Sequence, residues 1–330
     1  MKIFTLAEIS ELMASRPAFD QFGPLSETPY LIFKIENENS GLAKDLKALP
    51  CPIIGCQIGA RAPDLEAACD VVLDDIKLAE RICHNIAQTP MAALVLVQQL
   101  RLSESLPIDQ ALHAESLAYA SLQKSTLFLE RLEKLERGAP VKEAGPVLLL
   151  ENDKDSETQE AVLTLTLNRP ANLNAINIEL RDALSEAFDM ARHNDAISEV
   201  RLSAQGKSFS IGGALHEFGD APDALTAHMI RTYRLPAQYL VRMNKPMRVH
   251  INGAAIGAGI EMAAFAQHIT ATEKAWFQLP ELKYGLIPGA GGTVSLVRRI
   301  GRHKTALMAL SMKKISAQTA YDWGLVDALV

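Results

Sequence analysis

AVLTLTLNRPANLNAINIELRDALSEAFDMARHNDAISEVRLSA, residues 161–204, contains a strand, a helix and a second strand in succession. The run AVLTLTL at 161–167 is β-branched and alternating, which suits a pleated, half-buried strand. Leu180, Ala183, Leu184, Phe188 and Ala191 then recur at helical spacing, and Asn177 stands where an N-cap is needed. EVRLSA at 199–204 is the next strand and MRVHI at 247–251 a third, the two separated by a helical stretch predicted from Pro222 to about Met243. Strands alternating with helices of this length predict an α/β fold with parallel pairing.

Downstream, two glycine-marked segments each carry a glutamate. NGAAIGAGIEM at 252–262 holds three glycines in seven positions and then an apolar helical run with Glu261 near its first turn. In WFQLPELKYGLIPGAGG at 276–292, Pro280 lacks an N–H and biases Leu279 toward extended geometry, so Glu281 is predicted on a loop or short turn. Carboxylates beside glycine-freed backbone amides point to acid/base chemistry next to an anion-stabilising site. Taken singly, Glu261 fits equally well as an exposed first-turn carboxylate, and Gly257 and Gly259 as aids to close strand-to-helix packing. GAGG at 289–292 lacks the Gly-Lys-Ser/Thr ending of a phosphate loop, and Met262 stands where a dinucleotide fingerprint would place glycine. Nucleotide hydrolysis and hydride transfer are therefore disfavoured.

Five segments, LTLNRPANLNAIN (165–177), GKSFSIGGALHEF (206–218), the run ending in Glu261, FQLPELKYGLIPGAGGT (277–293) and ISAQTAYDWGLVD (315–327), occur in one order. On these motifs residues 161–330 resemble the core of the crotonase (enoyl-CoA hydratase/isomerase) superfamily. The resemblance implies a crotonase-like ββα superhelix and an acyl-CoA thioester substrate. It implies Glu281 as the acid that protonates C2 and Glu261 as the group that holds and activates water. It also implies an oxyanion hole made by the backbone N–H groups of Gly213 and Ala258. CoA would be part of the substrate, with no other cofactor and no metal, and the assembly a homotrimer or hexamer. Hydration of a 2-enoyl-CoA to a 3-hydroxyacyl-CoA is the expected reaction. Isomerisation, C–C cleavage or non-catalytic acyl-CoA binding are the alternatives. Two positions depart from the pattern: Ala214 replaces the acidic residue that often follows the oxyanion glycine, and Gln267 and His268 replace a Cys/Ala-Asp pair.

ERGAPVKEAGP at 136–146 mixes charge, glycine and two prolines, and divides a module at 1–140 from a core at 146–330. The leading module is read as α/β plus helical. PYLIFKI at 29–35, CPIIGCQI at 51–58 and VVL at 71–73 are strand candidates, with a short helix SGLAKDLKAL between the first two. From Lys77 to Glu136 the chain is helix-forming, with Pro90 and Pro107 at helix starts. Crotonases usually follow their GLVD motif with a short strand and a helical trimerisation tail, whereas here GLVDALV closes the sequence. Residues 69–121 resemble that tail placed before the core. They are expected to complete it, a degenerate half-domain or an unrelated amphipathic hairpin being the other readings. Leu94, Val97, Leu112, Leu117 and Leu122 exceed the apolar needs of one short hairpin.

The 330 residues carry a net charge of −6 with 48% hydrophobic and 22% charged positions, an ordinary globular balance with no general attraction to nucleic acid or an anionic membrane. Glu8 and Glu11 interrupt the N-terminus, so neither a signal peptide nor a membrane span is expected. Cys51, Cys56, Cys69 and Cys83 form no C-x-x-C pair and read as reduced packing residues of a cytoplasmic protein. The scattered histidines offer no ligand cluster; Lys207 and His216 are read as solvated, with approach to a CoA phosphate the other reading.

Overall fold

The computed structural model describes residues 1–14, 21–37 and 40–330. The leading part runs α1 (Leu6–Ala14), β1 (Leu31–Ile35), α2 (Ser40–Lys47), β2 (Ile53–Gln57), α3 (Pro63–Ala68) and β3 (Val71–Leu73). The strands pair in parallel in the order β1-β2-β3. Period-two alternation splits β1 between two cores: Leu31, Phe33 and Ile35 pack with Leu42, Leu46 and Leu65, while Ile32 joins the main core. The helices α4 (Ile76–Gln88), α5 (Pro90–Ser103), α6 (Ile108–Leu122) and α7 (Thr126–Glu133) follow. Their Ile82, Ile86, Leu96, Val97, Leu100 and Phe128 are buried in the same cluster as Leu163, Leu165 and Phe188. Of the apolar residues singled out in this region, Val97, Leu112 and Leu122 are buried, whereas Leu117 faces outward and is 55% exposed.

The hairpin β4 (Leu148–Lys154) and β5 (Ala161–Leu167) opens the second part, the two strands pairing antiparallel along their whole length. Next come α8 (Ile178–His193), β6 (Glu199–Ala204) and β7 (Ser208–Ser210). The Asn177 side chain accepts from Leu180 N–H at 2.9 Å and caps α8, and Leu180, Leu184, Ala187, Phe188 and Ala191 form its buried stripe. The predicted helix from Pro222 to Met243 is two helices, α9 (Ala224–Arg234) and α10 (Pro236–Leu240). Pro236 supplies no N–H and holds Leu235 extended at φ −77°, ψ 125°, which ends α9.

β8 (Met247–Ile251), β9 (Ala254–Ile256), α11 (Ala258–Ala263), β10 (His268–Ala271) and β11 (Trp276–Gln278) come next, then α12 (Gly292–Ile300), α13 (Arg302–Ser311), β12 (Ile315–Ser316), α14 (Ala317–Trp323) and β13 (Ala328–Leu329). Six strands form a sheet in the order β13-β10-β8-β6-β5-β4, with the β5-β6-β8 neighbours parallel as their alternation with helices predicts. A second sheet, ordered β12-β11-β9-β7, positions the site.

A buried ion cluster ties the two parts of the chain together. Asp70, 1% exposed, meets Arg101 at 2.6 Å and Arg302 at 3.2 Å, and Arg302 also donates to the carbonyls of Cys69 and Ala67. Removing one member of such a buried set typically costs about 3–5 kcal/mol, because the remaining charge is left unpaired. All four cysteines are free and buried, and burial pushes the Cys51 and Cys83 thiols up to about 12, so they remain protonated packing groups.

Candidate active site

β7, β9 and β11 lie side by side and parallel, and each ends at the same place. Two residues beyond β7 lies Gly212, followed by Gly213. Beyond β9 lie Gly257 and Ala258, and beyond β11 lie Leu279, Pro280 and Glu281. Adjacent parallel strands put their carboxyl ends on one edge of the sheet, so three segments distant in sequence converge there.

Each segment has a local reason for its shape. Ile176 N–H donates to Gly212 O at 2.8 Å and Ala214 N–H to Ile176 O at 3.0 Å, a parallel bridge that turns the intervening Gly213 N–H to the other side. Gly212 has φ +88°, and a Cβ there would stand 2.8 Å from Ile256 O and 3.4 Å from Ala258 N, so the two turns touch through a glycine. Gly257 has φ +48°, and a Cβ on it would meet Glu281 Oε1 at 2.5 Å and Glu261 Oε1 at 4.0 Å. Both carboxylates therefore close on the Gly257 backbone. Ala258 is the first residue of α11, where an amide has no carbonyl one turn back to bond. Pro280 starts the short 3-10 turn Glu281–Tyr284, in agreement with the turn expected for Glu281.

Gly213, Ala258, Glu261 and Glu281 all line one cavity of about 390 Å³. Ile176, Ala227, Ile230, Leu235 and Met262 give it apolar wall, while Tyr119 and Arg231 reach it from α6 and α9. A second cavity of about 620 Å³ shares Asn177, Gly213, Ala214, Phe218 and Glu281 with the first. Its outer wall includes Val141, Lys142 and Glu143 of the connecting segment, and His216. Lys207 is exposed and lies outside both.

Glu261 is 2% exposed, and its Oε2 accepts from Ala290 N–H at 2.6 Å and Gly292 N–H at 2.9 Å. Burial, then the charges of Glu281 and Glu115, hold its carboxyl well above the usual range, and the two amides oppose that rise. Glu281 Oε2 is buried without a hydrogen-bond partner in the protein, and burial pushes this carboxyl up to about 8. Two close carboxyls removed from bulk water favour one proton between them. The amide pair favours the charge on Glu261, and the lack of a donor at Oε2 favours the proton on Glu281.

A profile of the enoyl-CoA hydratase/isomerase family matches residues 157–330, more than half of the chain. The chain belongs to the enoyl-CoA hydratase/isomerase family. Over 169 residues it is 39% identical to a 2,3-dehydroadipyl-CoA hydratase of Escherichia coli K12, covering 51% of this chain and 66% of that protein. It is 35% identical over 180 residues to a 1,2-epoxyphenylacetyl-CoA isomerase of the same organism, covering 53% and 68%. The chain thus spans about two thirds of these relatives. Among solved structures, an enoyl-CoA hydratase/isomerase (crotonase) from Legionella pneumophila superposes with a TM-score of 0.51 at 28% identity, covering 57% of this chain and 71% of that one. One from Mycobacterium abscessus gives 0.50 at 31%, covering 55% and 70%.

In this enoyl-CoA hydratase/isomerase family member the four residues singled out from sequence meet at one cavity. Three others that shape it, Glu115, Tyr119 and Arg231, were not singled out. Glu115 carried a readable signal: with Ala111 and Leu112 it lies on the buried stripe of α6, where an unpaired carboxylate is costly. Among the described residues no three His, Cys, Asp or Glu side chains are grouped to hold a metal, and no helix is long and apolar enough to cross a membrane.

Proposed function

We propose that the chain hydrates a 2-enoyl-CoA thioester to the 3-hydroxyacyl-CoA. One observation carries this reading: Glu261 and Glu281, one favoured charged and one favoured protonated, line the same cavity as Gly213 and Ala258. The thioester oxygen accepts from these two N–H groups, which stabilise the enolate charge as it builds. Glu261 takes a proton from water as its oxygen bonds to C3, and Glu281 delivers its proton to C2. Water adds as H and OH, and one proton passes from Glu261 back to Glu281 to reset the pair. The apolar cavity would hold the acyl chain. The second cavity, which shares Gly213 and Glu281 with the first, offers room for the CoA arm, with Lys142 and His216 on its wall. Within this reading CoA belongs to the substrate and no other cofactor takes part. The protein acts as a homotrimer or hexamer in the cytoplasm.

The test is hydration of a short enoyl-CoA in heavy-oxygen water, followed by mass analysis of the product. Incorporation of label at C3 supports hydration; a shifted double bond without label would replace it with isomerisation. Glu261→Gln and Glu281→Gln should each remain folded and lose about 100- to 10000-fold in kcat. A folded double variant turning over at the wild-type rate would refute the assignment.

A further inference from the structure

The segment 289–293, which leads into the first turn of α12, is held from both sides. Ala290 and Gly292 direct their N–H groups to Glu261, and the alternate amides go the other way, Gly291 N–H to Glu115 Oε1 at 2.8 Å and Thr293 N–H to Glu115 Oε2 at 3.0 Å. The Thr293 hydroxyl adds a third bond to Glu115 at 2.7 Å. Glu115 is fully buried on α6, more than 170 residues away in sequence, and the acid/base chemistry proposed above does not use it. Its remaining polar neighbour is Arg231, at 3.6 Å, which stacks on Tyr119 at 4.3 Å and donates to Gly289 O. Of its four polar partners the two amides and the guanidinium can only donate and the Thr293 hydroxyl donates here, so the ionised form suits the site, although burial itself pushes this carboxyl up.

We propose that Glu115 is a positioning residue for the acid/base pair: it fixes, from the far side of the loop, the peptide planes whose other amides hold the Glu261 carboxylate. The inference rests on the acid/base reading of Glu261 and Glu281. Successive peptides in this loop are coupled through shared Cα atoms, so orienting the Gly291 and Thr293 amides also orients those of Ala290 and Gly292. Gly291, at φ +102°, has no side chain to lock its own conformation, and Glu115 supplies that restraint. Preorganised donors do not have to reorganise as charge moves during the reaction. The Glu115 charge also acts through space, raising the proton affinity of Glu261 and Glu281. The other groups around it are Arg231 on α9, Tyr119 on its own helix, and His228 on α9, which bonds the adjacent Ser116 at 2.9 Å.

The test uses the full chain with Glu115→Gln. The glutamine keeps the shape, has one acceptor oxygen where two are needed, and removes the charge. Expected are a kcat lower by about 10- to 100-fold with KM within about threefold, and both limbs of the kcat–pH profile moved to lower pH by about half a unit or more. Wild-type kcat with unmoved limbs would overturn the proposal, as would a loss of kcat with unmoved limbs, which marks a structural role alone. Hydrogen exchange at the Ala290 and Gly292 amides gives a readout independent of turnover. Exchange faster by about tenfold or more in the variant supports the proposal and unchanged exchange overturns it, even if the wild type hydrates no enoyl-CoA and the functional reading fails. If Glu115→Gln does not fold, Thr293→Val and Thr293→Ser decide. The valine variant should lose kcat and show faster exchange at the two amides while the serine variant stays near wild type; a valine variant matching wild type in both overturns the idea.

Discussion

Replacing Glu281 with glutamine should make the protein more stable, and increasingly so as pH rises. In the native state Glu281 binds its proton more tightly than in the unfolded chain, about 8 against an ordinary 4.5, with burial the main cause and the Glu115 charge adding to it. Between those values the native state holds a proton that the unfolded state has released, so raising the pH destabilises the native state. At about 1.4 kcal/mol per unit the full difference is on the order of 5 kcal/mol above pH 8. Glu281 keeps partial access to the cavity and shares its titration with Glu261, so about half of that should be seen. Glutamine resembles the protonated carboxyl in shape and cannot ionise. Chemical denaturation of wild type and Glu281→Gln at equal protein concentration should show near-equal stability at about pH 5 and an advantage to the variant of about 2 kcal/mol at about pH 8.5. A difference that stays flat across this range would refute the burial argument, and with it the case for a protonated Glu281 at neutral pH.

Further tests address the amides, the assembly and the two parts of the chain. Ala258→Pro removes an N–H and should cost about 100- to 1000-fold in kcat against Ala258→Ser, both shown folded by circular dichroism; equal rates would remove Ala258 from the oxyanion site. Sedimentation at micromolar concentration should give a trimer or hexamer, and a stable monomer would contradict that assembly. Residues 146–330 expressed alone should be insoluble or molten and regain cooperative unfolding when residues 1–145 are supplied as a separate chain. Leu96, Val97, Leu100 and Phe128 are all fully buried in the core shared by both parts, and at roughly 1.5–3 kcal/mol each their loss rivals the stability of a whole domain. A soluble, active 146–330 fragment would make the leading part an accessory.

What could be read from the sequence follows element length and local chemistry. β5, α8 and β6 are long enough to show their periods, and Asn177 marks the helix start with its own side chain. Glu261 and Glu281 stood out because glycine and proline mark unusual backbone around them. The small sheet that brings them together left little trace: SFS, AAI and WFQ are three-residue strands, too short for an alternation to register. Pro236 was visible, but the helical pattern on either side hid the break it makes. Glu115 and Arg231 belong to no sequence motif, because the loop amides and Tyr119, which account for their burial, lie far off in sequence.

The cavity wall thus draws on two stretches of chain, one within the family match and one before it. Glu261, Glu281 and the two glycine turns come from 157–330, whereas Tyr119, and Glu115 behind the loop, come from α6. Chain order enters such an arrangement mainly through the entropy of closing the connecting loop, which changes by only about 0.6 kcal/mol for each doubling of loop length. Against this stand the apolar residues of α4–α7 in the common core and the three Glu115 hydrogen bonds, together worth many times more. A helical segment linked ahead of the sheet can therefore occupy the face that a segment linked behind it would cover. If the buried Glu115 carboxylate on that face is what positions the pair, moving α4–α7 to the other end of the chain should preserve turnover, while Glu115→Gln should lower kcat by about 10- to 100-fold in either order.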